Sequence, residues 1–411
     1  MKVLVLGAGA VGTVSALKFA QEAMLQKLVI ADAVSARASL LADRLSNPRV
    51  TPIGLEAGDR AAVVGALRQF GITTVLNAAL PATNLDVMRA CLEAGSDYID
   101  LASAGTDADG IPKMDDQFAL DVEFKAAGRL ALLGMGADPG TTNVYAAYAA
   151  KHLLDVVTEL RVRDGDNSTC NGHDGFLAAF SPWVMIDECL CKAVAFRGGR
   201  YHLEEPLTGK EEFDFPELGV LNCYYVDHEE SKTLPRFFPQ ARVIDFKLCM
   251  DEVTLETLRV MKRLGLSSMN RVQVGNQSIA PRDLVVSLLP QPKDLAGRMR
   301  GKSCVGTVAK GLRKGESKAY YIYNVTDHES AFTRLGVQGT AYQTGIPPVI
   351  AAGLIARGVW RGTGVMSPEQ FNPDPFLERL TQEGMPWSVR DDSVRIERPR
   401  PSRPSMEIVA A

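Results

Sequence analysis

"VLVLGAGAVGTVSALKFA", running from Val3 to Ala20, decides the fold class. Four apolar residues in a row suit a strand buried on both faces. Gly7, Gly9 and Gly12 then form GxGxxG, and Val14 to Ala20 continue with helical spacing. In such a strand–turn–helix the first glycine allows a tight turn and the second lets backbone approach a pyrophosphate. The third lets the helix pack closely on the strand. Gly9, Ala10 and Val11 open the helix, where free N–H groups and the helix dipole favour an anion.

The next strand, "KLVIAD", ends in Asp32, the expected place for a carboxylate that takes the ribose hydroxyls of the adenosine half. A carboxylate there repels a 2′-phosphate, so the cofactor is read as NAD or NADP with NAD favoured. Arg37, five residues on, is the side chain that would receive such a phosphate. Strand and helix patterns then alternate through "RVTPIGLE", "TTVLNAAL", "DYIDLAS" and "LALLGMG", giving six strands in all. That alternation predicts a Rossmann-type, doubly wound parallel sheet. Asn77, Ala78 and Ala79 lie at one strand's C-terminal end and Ser103 at another, where the nicotinamide half of a dinucleotide is expected to run.

Composition narrows the function. Hydrophobic residues make up 46% of the 411 and charged residues 23%, as in an ordinary globular enzyme, and the net charge of −4 offers nucleic acid no basic field. No apolar run reaches the ~18 residues of a membrane span, and "MKVLVLGAG" enters a strand without a signal-peptide pattern, so a cytoplasmic location is expected. The seven cysteines are scattered without a CxxC pair, which suggests neither a zinc site nor a disulfide framework.

After Asn143 the pattern changes. Short alternating segments such as "VTELRVRDGD", "LNCYYVDHEE", "ARVIDFKLC" and "SKAYYIYNVTDHES" predict a mainly antiparallel sheet within an inserted α+β domain. Near the end, "TGIPPVIAAGLIARGVW" is too apolar to stand in water and is expected to pack back on the first domain. The boundaries read from the sequence are 1–137 plus 338–387 for the dinucleotide-binding domain and 138–337 for the substrate-binding and dimerisation domain. The segment 388–411, rich in Arg and Pro, is expected to be a disordered tail.

Between the domains lies "GMGADPGTTN", Gly134 to Asn143. It resembles a phosphate cradle but has no Lys-Ser/Thr, and its proline removes a backbone donor. It reads instead as a hinge and cleft wall, with Asp138 facing the reacting atoms and Asn143 capping a helix or holding substrate. His228 is the second catalytic candidate, being the side chain that titrates near neutral pH. Glu229 follows it directly, and Arg236, Lys247 and Arg163 are candidate carboxylate partners. The polar loop "RDGDNSTCNGHDG" offers Asp164, Asp166, Asn167 and His173 to an ammonium group or an amide-like imine. A second triplet, Asp327-His328-Glu329, also ends a strand. No metal is expected, because hydride chemistry needs none.

Taken together, these motifs resemble the saccharopine dehydrogenase (reductase) family, which includes carboxynorspermidine dehydrogenases and lysine 6-dehydrogenases. The matching pieces are "GAGAVG", "GADPGTTN", "SPWVMIDE", "YYVDHEESKTLPR", "VTDHES", "GVQGTAYQTGIPPVIAAGLI" and "FNPDPFLERLTQEGMPW", from residue 7 to 387. The resemblance implies an NAD(P)-dependent oxidoreductase acting on a carbon–nitrogen bond of an amino-acid or polyamine-type substrate. It also implies a discontinuous cofactor domain and a homodimer. The closing segment looks most like the carboxynorspermidine branch, whereas "SPWVMIDE" and "TLPR" look closer to saccharopine and lysine dehydrogenases. A non-catalytic nucleotide sensor is the alternative of another class.

Overall fold

The computed structural model describes residues 1–103, 114–173 and 175–393. The strands β1 (Lys2–Leu6), β2 (Lys27–Asp32), β3 (Val50–Gly54), β4 (Thr74–Asn77), β5 (Asp97–Asp100) and β6 (Leu130–Leu132) stand in the order 3-2-1-4-5-6. Every pairing among them is parallel. The order reverses beside β1, so a crevice opens past the C-terminal ends of β1 and β4. Val3 to Leu6 are buried because helices cover both faces of the sheet.

The sequence predicts six strands, and the structure has a seventh. Gly364–Met366, from far down the chain, pairs in parallel with β6 and closes that edge. A strand of three residues is too short to show a period, which hid it from pattern reading. The apolar segment does return to this domain. Gly339–Gly345 packs on α1 (Ala10–Phe19), where the Ser15 hydroxyl donates to the Gly345 carbonyl at 2.8 Å. A Cβ at Gly345 would meet Val14 at 2.6 Å, so the small residue sets how closely the helices approach. The helix Pro347–Ala356 follows and is buried from Pro347 to Leu354, which accounts for its lack of a polar face.

The second sheet has nine strands among the described residues. Its centre is Val156–Asp166, which pairs in parallel with Val243–Cys249 and antiparallel with Lys302–Arg313. Lys302–Arg313 and Glu316–Asp327 form a long hairpin. The expected tail begins too early. Trp387–Asp391 pairs with Tyr320–Asn324 as an edge strand of this sheet, with Trp387 against Tyr145 and Tyr148. The pairing offers backbone hydrogen bonds and aromatic contact that a count of Arg and Pro does not register. Residues 394–411 of that reading lie outside the described residues.

Candidate active site

The three glycines of the first loop answer to different neighbours. A Cβ on Gly7, at φ +97°, would meet the Ala78 carbonyl oxygen at 2.6 Å, and one on Gly12 would meet that of Gly7 at 1.8 Å. These two are required by the protein's own packing. A Cβ on Gly9 would meet nothing within 4 Å. The space kept clear there lies at the N-terminus of α1, where a pyrophosphate would sit.

Asp32 is held in place at the end of β2. Its Oδ2 accepts the Ala8 N–H at 2.9 Å and its Oδ1 that of Val34 at 2.8 Å. The Arg37 guanidinium lies 4.0 Å from Asp32 and is half exposed. Asn77 shapes the opposite wall from within. Its amide donates to Thr83 and Asn84 and its oxygen accepts the Ala79 N–H, so it positions Ala78 and Ala79 while itself buried. Ser103 is also buried, and its hydroxyl has no partner among the described residues. Gly9, Ala10, Val11, Asp32, Ala78, Ala79 and Ser103 therefore fit a nicotinamide dinucleotide, which supplies or accepts hydride when bound.

The loop after β6 is folded on itself. The Gly134 N–H donates to Asp100 at 2.6 Å, and the Gly136 N–H to the Pro139 carbonyl at 2.7 Å. Gly140 adopts φ +132°, where a Cβ would lie 2.3 Å from the Gly136 oxygen. The helix Thr141–Tyr148 then starts at once. Thr142 donates to Glu230 at 2.7 Å. Asn143 is wholly buried, accepting from Gly140 and donating to Thr233 and Glu369. All its side-chain hydrogen-bonding atoms are engaged, so of the two expected roles the structure shows the helix cap, through the Gly140 N–H, and not the substrate contact.

His228 ends up behind the cleft wall. Its Nδ1 lies 2.5 Å from Glu230 and its ring stacks on Phe246 with centroids 3.7 Å apart. Burial opposes its charge, but the carboxylates of Glu230, Glu229 and Glu188 outweigh burial and push its pKa well above the ordinary histidine value. Glu229 accepts the Ser103 N–H, linking this cluster to the cofactor side. His228, Glu229 and Glu230 bring one ligand atom each within 4.8 Å, and these atoms bond Ser103, Thr142 and one another.

In front of His228 is a cavity of about 740 Å³. Its lining includes Asp138, Asp164, Asp166, Asp251 and Glu252, and no Lys or Arg among the described residues. Asp138 and Asp164 face each other within hydrogen-bonding reach. Burial and the neighbouring Asp164 push the Asp138 carboxyl well above the usual range. Asp164 is pushed up to about 7 by burial and by Asp166.

Asn167 and His173 both line this cavity. Asn167 also accepts the Lys302 N–H, and the His173 Nε2 lies 2.9 Å from the Phe176 carbonyl.

The three expected carboxylate partners are elsewhere. Arg163 is buried between Asp245 and Glu211, at 2.7 and 2.9 Å, and Lys247 bonds Glu211 at 2.8 Å and the Gly209 carbonyl. Unpaired cations this deep would be costly, so the fold matches them with its own carboxylates. Arg236 is at the surface, paired with Asp115 and lying 4.1 Å over the Phe118 ring. His328 joins the Ser168 hydroxyl to the Gly339 N–H and is a structural tie. Sequence reading offered Asp164 to an ammonium group or an amide-like imine as one of a polar loop, and gave Glu188, Asp251 and Glu252 no role. They come from a strand, a helix and a helix start far apart in the chain, and no local spacing joins those three places.

Comparison with known proteins now decides the family. The saccharopine dehydrogenase NADP binding domain matches residues 3–132, and the saccharopine dehydrogenase C-terminal domain matches residues 136–385. The chain belongs to the saccharopine dehydrogenase family. It is an oxidoreductase of carbon–nitrogen bonds that uses a nicotinamide cofactor, which sets the sensor alternative aside. Among relatives, carboxyaminopropylagmatine dehydrogenase of Synechocystis sp. is 34% identical, covering 94% of this chain and 96% of that one. Carboxynorspermidine synthase of Vibrio cholerae is 32% identical, with 100% of each covered. The solved saccharopine dehydrogenase of Saccharomyces cerevisiae superposes with a TM-score of 0.69 at 14% identity, over 95% of this chain and 99% of that one. That likeness shows a shared fold for the saccharopine dehydrogenase family.

Proposed function

We propose that this enzyme reduces the imine formed between an aldehyde-bearing amino acid and a cationic amine of the polyamine class, such as agmatine or a diamine. The observation that carries the reading is the acidic lining of the cavity. Two like charges 4 Å apart in a medium of effective dielectric about 20 repel by about 4 kcal/mol, and opposite charges gain as much. A tricarboxylate such as saccharopine would meet that repulsion at Asp166, Asp251 and Glu252, whereas an ammonium or guanidinium arm meets attraction. The names of the two relatives, one an agmatine derivative and one a norspermidine derivative, support the same class.

Asp138 stands at the reacting end. An iminium accepts hydride more readily than a neutral imine, so the acid's task is to protonate the nitrogen while the cleft walls hold the carbon near the cofactor space. Asp32 favours NAD over NADP, because its fixed carboxylate suits two ribose hydroxyls and repels a 2′-phosphate.

The test is the change in nicotinamide absorbance with an amine panel. Aldehyde-bearing amino acid plus agmatine or 1,3-diaminopropane should turn over, and saccharopine or lysine should not. Turnover confined to saccharopine or lysine would refute the polyamine reading.

A further inference from the structure

Two acids crowd the point where one proton donor would suffice. Asp138 comes from the loop after β6 and Asp164 from the strand Val156–Asp166, yet both line the cavity and reach each other. We propose that Asp138 and Asp164 hold one proton between them and deliver it, as a unit, to the imine nitrogen. This rests on the imine-reductase reading above.

Carboxylates this close in a buried site do not both ionise near neutral pH, because each raises the cost of charging the other. The surroundings leave the pair in that condition. Asp138 faces Asp164, His228 and Glu230, and Asp164 faces Asp138, Asp166, His228 and Glu230. His228 is the cation of this group, and its charge is already matched by Glu230 at 2.5 Å and Glu229 at 3.6 Å. The upward displacement of both acids agrees with one retained proton. His228 does not line the cavity, and its Nδ1 and ring face are both engaged, so it acts on the pair through its charge from behind the wall.

The step balances simply. The pair's proton passes to nitrogen and makes an iminium beside two carboxylates, which stabilise its charge. The carbon then receives a hydride from the reduced nicotinamide, whose electron pair forms the new C–H bond while the C=N π pair moves to nitrogen as its lone pair. A secondary amine and oxidised cofactor result. The pair regains its proton from solvent through the cavity. In the reverse direction it acts as the base.

The test has two readouts. Infrared difference spectroscopy on the free enzyme follows the protonated-carboxyl band with pH, without any substrate. In the wild type the pair's two protons should leave in separate steps, the first with a midpoint near about 7 and the second well above it. Asp164→Asn, and Asp138→Asn as the second variant, should each remove one step and draw the remaining one toward the ordinary carboxylate range. The signals of other buried acids such as Asp100 and Glu188 should stay as in the wild type. In turnover, Asp164→Asn should shift the alkaline limb of imine reduction to lower pH and cut the rate at neutral pH about tenfold. Cofactor affinity should be unchanged. A wild-type midpoint near the ordinary carboxylate value, or a midpoint and limb unmoved in Asp164→Asn, would overturn the shared proton. A neutral midpoint with no turnover on any amine would support the shared proton and count against the substrate reading.

Discussion

Within the glycine cradle the contributing residues lie between Gly7 and Gly12, while the acidic cavity takes Asp138 from a loop, Asp164 from a strand and Asp251 from a helix cap. The cradle acts through space kept clear of side chains. The cavity acts through charge gathered from distant parts of the chain. Substitutions should therefore fail sterically in the first region and electrostatically in the second.

The largest effect is expected inside the cradle. Gly12→Ala places a methyl 1.8 Å from the Gly7 oxygen, so its cost should exceed the about 1–3 kcal/mol of ordinary overpacking. Thermal denaturation should show a much less stable protein or none that folds. Gly9→Ala meets open space and should keep wild-type stability while weakening nicotinamide binding at least about tenfold, or ~1.4 kcal/mol. Equal stability loss in the two variants would break the distinction between packing and ligand-facing glycines.

Next comes Asp138→Asn, which should lower turnover at neutral pH about 10²-fold with cofactor affinity nearly intact. Unchanged turnover would remove Asp138 from the chemistry. A smaller effect has a sign that can be worked out. Asp164 is raised to about 7 in the folded chain from an ordinary value of 3.8. Its folded form therefore holds a proton that the unfolded form has lost, and the associated stability, full below about 4, is gone once pH passes about 7. Asp164→Asn should stabilise the protein at pH 8 by on the order of 1 kcal/mol and do much less at pH 4. A variant that gains nothing at pH 8 would mean that Asp164 is not charged against its surroundings.

The smallest effects separate binding residues from bystanders. Asp32→Ala should weaken NAD binding more than NADP binding, and equal losses in a fluorescence titration would mean that Asp32 does not read the ribose. Arg236→Ala should leave the KM for amino-acid substrate within about twofold, since exposed pairs such as Arg236–Asp115 are worth roughly 0–1 kcal/mol.

Much of the fold was legible because it is locally coded. β1, the glycines and Asp32 announce themselves by period and spacing, and Pro347 to Leu354 by their lack of a polar face. The strand Gly364–Met366 was not legible, because its partner β6 lies over two hundred residues away and supplies the context that three residues lack. Within the site, Asp138 could be found from its place after β6. The role of Asp164 could not, since only the fold brings strand and loop together. Arg163, Lys247 and Arg236 were misread for the same reason. A cation in a sequence gives no sign of the carboxylate that will meet it across a sheet.

The central claim is that the cavity selects a cationic amine. The most direct measurement compares turnover, with the same aldehyde-bearing amino acid, for agmatine and for an uncharged amine of equal length. A KM for agmatine at least about tenfold lower, ~1.4 kcal/mol of charge recognition, is the predicted result, and it should weaken as salt is raised. Equal KM values for the two amines would contradict the account.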